Sequence, residues 1–71
     1  MPESVYKFIE LVGTSSESFE KAAGAAVNQA TKSVRDLRVA EIAQLDATIE
    51  NGKIKSYRAK VKLSFKVESQ G

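Results

Sequence analysis

Cysteine, histidine and tryptophan are all missing from this 71-residue sequence, and proline occurs once. Without cysteine there is no disulfide staple and no thiolate chemistry. Without histidine the commonest general base and the commonest metal ligand are gone. An acid–base or nucleophilic pair would have to be built from Glu, Asp, Lys and Tyr alone, and no serine stands beside a plausible base, so the sequence does not read as an enzyme. No apolar run approaches the roughly 20 residues that a membrane span needs, and Met1-Pro2-Glu3-Ser4-Val5 lacks a basic region followed by an apolar stretch, so no membrane association is expected and a cytoplasmic location is the default. Charge of one sign is lacking too. Eleven Lys and Arg against nine Asp and Glu leave a net charge of +2, and no nucleic-acid-binding motif accompanies the lysines.

What remains is an ordinary globular composition, 42% hydrophobic and 28% charged, in a length that fits one domain spanning residues 1–71. Val5–Val12 is rich in β-branched and aromatic residues and reads as a strand ending at Gly13. Both of its faces are apolar, as expected of a strand covered on both sides. Thr14, Ser15 and Ser16 are candidate N-caps, with Thr14 and Glu17 spaced as a capping box, so a helix is expected from about Ser16 or Glu17. Phe19, Ala22, Ala23, Ala26, Val27, Ala30 and Val34 form one apolar stripe on it. So much alanine lets a helix axis sit close to a sheet. Gly24 interrupts this helix at about 1 kcal/mol relative to alanine, either for a close backbone contact or simply as a surface glycine.

Residues 38–67 read as one long hairpin around Asn51-Gly52, the dipeptide preferred where both loop residues need positive φ. Counting outward pairs Ile49 with Ile54, Leu45 with Arg58, Glu41 with Lys62, and Val39 with Ser64. One face then carries Ala40, Ile42, Tyr57, Ala59, Val61, Leu63 and Phe65, which suit the helix stripe. The other carries Val39, Glu41, Ala43, Leu45, Ala47 and Ile49 against a row of Arg58, Lys60, Lys62 and Lys66. The order is strand, helix, strand, strand: an α+β unit with a three-stranded antiparallel sheet on one helix. Such a unit rarely gains more than about 3–5 kcal/mol from a single core. An obligate homo-oligomer is therefore expected.

Three stretches together, Glu10-Leu11-Val12-Gly13-Thr14-Ser15 before the helix, Ser33 to Glu41 after it, and Tyr57 to Phe65 at the end, resemble the dodecin family over residues 5–67. The resemblance implies a hollow shell of twelve copies with the sheet wrapped partly around the helix, serving as a binding and storage protein for a flavin such as riboflavin or FMN, or a related small anionic cofactor. Flavin-binding members stack a tryptophan on the isoalloxazine ring and hydrogen-bond its edge with a glutamine; here those positions are Val39 and Arg58. Valine has no π face, so stacking worth roughly 0.5–1.5 kcal/mol per pair is lost. Arginine offers donors and no acceptor, although it can stack on planar rings and pair with a phosphate. Arg38, Val39, Leu45 and Arg58 are the residues expected at the ligand site. Dodecins without the tryptophan look like calcium-associated members, which makes an ion-binding shell the alternative. Asp46 is then the metal-ligand candidate; otherwise it is an aspartate close to the turn and to Tyr57. The basic row reads either as the lining of an anion-attracting cavity or as a cross-strand ladder neutralised by Glu41 with Glu10 or Glu68.

Overall fold

The computed structural model describes residues 3–67, which leaves Glu68 outside the described residues. Four elements follow one another: β1 (Tyr6–Ser15), α1 (Phe19–Thr31), β2 (Leu37–Glu50) and β3 (Lys53–Lys66). They form the expected α+β unit, with all three strands in one antiparallel sheet ordered β1-β3-β2. The last strand is thus the central one.

β1 does not stop at Gly13. Thr14 and Ser15 stay in the ladder opposite Arg58 and Tyr57, so neither they nor Ser16 caps the helix. The N-cap is Ser18, whose backbone is extended and whose hydroxyl accepts the Lys21 N–H at 3.0 Å. The residue at the capping-box position is therefore Lys21, and no reciprocal box forms; Glu17 pairs with the Lys21 ammonium across one turn instead. The Ser15 hydroxyl accepts the Glu17 N–H at 2.9 Å, which turns the chain from strand to helix. At the other end α1 stops at Thr31 with Lys32 as C-cap, so Val34 lies beyond the helix rather than on its stripe.

Gly13 has a steric reason. A Cβ placed there would lie 1.9 Å from the Ala22 carbonyl oxygen and 3.0 Å from the Ala26 nitrogen, so α1 rests directly on β1 backbone. Small residues on both elements permit that approach. The core is correspondingly lean: Ala22, Ala26 and Ala30 of α1 against Ala59, Val61 and Leu63 of β3, with Ile9, Leu11, Ala23, Val27 and Leu37 packed around them. Phe19 meets Tyr57 edge to face at 4.9 Å between ring centroids, fastening the start of α1 to the sheet. α1 lies over β1 and β3 and leaves most of β2 bare. Ile42 and Leu45 remain about half exposed as a result.

Asn51 and Gly52 take φ values of 53° and 75°, as the tight hairpin turn requires. The ladder beyond it departs from simple counting. Ile49–Ile54, Glu41–Lys62 and Val39–Ser64 pair as expected, but between them Asp46 faces Arg58 and Leu45 faces Ala59. Two β-bulges explain the shift. Lys55 is the extra residue on β3 and Ala43 the extra residue on β2, so the register moves by one at the first bulge and returns at the second. A one-residue slip exchanges the faces of a strand. Leu45 and Ala47 therefore share the helix side with Ala59 and Tyr57, whereas Gln44, Asp46 and Thr48 point to the far side.

Candidate functional site

The sheet face turned away from α1 is built from directly opposed side chains, and its rungs follow from the register. Across β1, β3 and β2 they read Phe8–Ser64–Val39, Glu10–Lys62–Glu41, Val12–Lys60–Gln44 and Thr14–Arg58–Asp46. The first is apolar at its edges, with Phe8 66% and Val39 58% exposed, while Ser64 between them is buried. Tyr6 and Val12 extend the apolar character along β1, at 44% and 52% exposure. Lys62 sits opposite Glu10 on one side and Glu41 on the other.

Arg58 and Asp46 make the most specific contact on this face. Arg58 donates from Nε to Asp46 Oδ1 at 2.7 Å and from a terminal nitrogen to Oδ2 at 3.0 Å, a fork-to-fork chelate. The hydrogen bonds from Arg58 hold the Asp46 carboxyl below the ordinary aspartate range, helped by the charges of Arg58 and Lys60 and opposed by partial desolvation; the same contact pushes the guanidinium pKa up. Next to it, the Thr48 and Ser56 hydroxyls share a hydrogen bond at 2.7 Å.

Not all of the residues expected at a ligand site come together in one chain. Arg38 and Val39 line a small hollow of about 130 Å³ with Val27, Leu37, Ala40 and Leu63. Arg58 lies six residues along β3 from Ser64, the partner of Val39, which is about 20 Å at strand rise. Leu45 is on the opposite face from Arg58. Asp46 is not beside Tyr57, which faces Ala47; both its oxygens are bound to Arg58. Among the described residues no three Asp or Glu side chains gather where they would hold a metal ion. A cleft of about 720 Å³ at the far end of the molecule, edged by Lys7, Arg35, Asp36, Phe65 and Lys66, escaped sequence reasoning. It joins β1, the end of β3 and the α1–β2 connection, where Asp36 has φ of 59°, and no local motif marks it.

Together the fold and this face define a class of small α+β proteins in which a three-stranded sheet covers one helix and leaves its other surface bare. A family model described as Dodecin matches residues 5–68, and the chain belongs to the dodecin family. It is 48% identical over 65 residues to the calcium dodecin of Mycobacterium tuberculosis, covering 90% of both chains. It is 39% identical over 64 residues to the dodecin of Thermus thermophilus, covering 90% of this chain and 93% of that one. The crystal structure of a calcium-chelating calcium dodecin from M. tuberculosis, described with a calcium-binding site, superimposes with a TM-score of 0.79 at 45% identity, over 96% of this chain and 97% of that one.

Proposed function

We propose that the chain is one subunit of a non-catalytic homododecameric binding and storage shell whose ligand sites are completed between copies. The observation that carries this reading is the exposed apolar surface on the helix-distal face, Phe8, Val39, Tyr6 and Val12, in a molecule whose own buried core is two-thirds alanine. Its shape agrees. The radius of gyration is 15.0 Å, against about 11 Å for a compact chain of this length. Static light scattering at micromolar concentration tests it: a dodecamer has a mass of about 92 kDa, twelve times the 7.7 kDa subunit, and a monomer in dilute solution would refute the shell.

For the ligand, a divalent cation such as calcium is favoured over a tightly held flavin. Val39 provides no ring to stack on isoalloxazine, and the Arg58 fork is already engaged by Asp46. The likeness to calcium dodecin, at 48% identity, points the same way. One chain gathers no cation cage among its described residues, so the ligating oxygens come from copies meeting at a symmetry axis, with the exposed Glu41, Glu50 and Asn51 and, if released from Arg58, Asp46 as the oxygen donors at hand. A flavin or related anionic cofactor is the second reading, supported by the basic row of β3, in which Lys60 and Lys66 face no carboxylate across the ladders. Thermal stabilisation by calcium that a chelator reverses supports the first. Saturable quenching of riboflavin or FMN fluorescence at micromolar protein, without a calcium effect, supports the second.

A further inference from the structure

The midpoint of the helix-distal face holds the parts of an anion site. Arg58 and Lys60 stand two residues apart on the same face of the central strand, about 7 Å along it. Their cross-strand neighbours other than Asp46 are Thr14, Val12 and Gln44, none of them charged. Lys62, one step further, differs because Glu10 and Glu41 flank it. An arginine fork, a lysine ammonium, a threonine hydroxyl and a glutamine amide within two adjacent rungs offer the donors that a phosphate group uses. Asp46 binds the fork through both oxygens.

The bulges bring this about. With an unbroken register Leu45 would oppose Arg58 and Asp46 would turn to the helix side. The extra residues Lys55 and Ala43 shift only the segment between them, and that shift sets the carboxylate against the guanidinium.

We infer that Asp46 is a selectivity residue, an internal anion that occupies the Arg58–Lys60 pair and closes this surface to phosphate-bearing ligands. The inference rests on the reading of this face as ligand-binding surface, and it concerns which charge the surface accepts. Asp46→Ala leaves two adjacent cations facing neutral neighbours and opens the site.

Isothermal titration with inorganic phosphate and with pyrophosphate tests it on the assembled protein. Asp46→Ala should bind both at least about tenfold more tightly than the parent, the effect of restoring one charge-assisted contact. The Asp46→Ala, Arg58→Ala double variant should lose the gain. Asp46→Ser, with a short hydroxyl that cannot chelate the fork, serves if the alanine variant does not fold. No increase in an assembled single variant, or an increase that survives removal of Arg58, overturns the inference. Light scattering on every sample, with calcium stabilisation read on the parent protein, keeps the two readings apart: a variant shell that persists without gaining phosphate affinity overturns this inference alone, and a parent protein that does not assemble overturns the shell alone.

Discussion

Two glycines sharply separate backbone need from tolerance. Gly13 lies under α1 with no room for a Cβ, so Gly13→Ala should destabilise the protein by at least about 1–3 kcal/mol in urea or thermal unfolding, because backbone and not a flexible side chain blocks the added methyl. Gly24 has nothing within 4 Å of its would-be Cβ, which settles it as a surface position, and Gly24→Ala should raise stability by up to about 1 kcal/mol through helix propensity. Asp46 gives a pH signature. Its pKa is lowered in the folded chain, chiefly by the Arg58 hydrogen bonds, so the unfolded state binds the proton first as pH falls. The contribution is complete above about pH 4, the ordinary aspartate value, and disappears as pH drops through the lowered native value. Acid unfolding of Asp46→Asn should therefore be flatter below about pH 4 than that of the parent. The place of Arg58 in the outward row of β3 could be read from the alternation of its residues; its partner could not, because counting along a hairpin assumes one residue against one.

At the level of elements, the type of each was legible and its limits were not. Alternation from Tyr57 to Phe65, the alanine stripe and Asn51-Gly52 each carry a local signal that needs no tertiary context. The start of α1 does need it: Thr14 and Ser15 are good caps by composition, yet the ladder with Arg58 and Tyr57 claims their backbone, and the cap passes to Ser18. Ser18→Ala should accordingly cost about 1 kcal/mol in thermal or urea unfolding, whereas Ser16→Ala should change little. The bulges at Ala43 and Lys55 cancel each other, so the pairs beside the turn and from Val39 to Ile42 agree with a straight count while the segment between does not; a third irregularity, at Arg38, then sets Leu37 opposite Phe65. Only long-range pairing reveals such a compensated slip.

For the whole molecule, extents of 56 × 20 × 13 Å describe a slab rather than a ball. One helix cannot cover both sides of three strands, and Phe8, Val12 and Val39 are what it leaves. Phe8→Glu, at 66% exposure in this chain, should leave the subunit folded by circular dichroism yet lower the assembled mass in light scattering, because a charge would be placed in an apolar contact. An unchanged mass would remove Phe8 from the interface. The apolar residues without cover were legible in the sequence; what covers them was not, because a single chain's pattern does not encode its contacts with other molecules.

The strand order β1-β3-β2 also governs how this protein comes into being. Among the described residues β3 is the only strand that touches the other two, and it is the last of the three in chain order. β1 finds its partner across most of the chain, Tyr6 opposite Lys66. Until β3 emerges during synthesis, β1 and β2 have nothing to pair with, and the helix has no central strand to cover. The hairpin of β2 and β3 can close early through its tight turn, but the docking of β1 closes a loop of nearly the full length and should set the pace of folding. A chain whose third strand is not yet complete thus leaves two apolar strands without a partner, the kind of species in which premature association is expected.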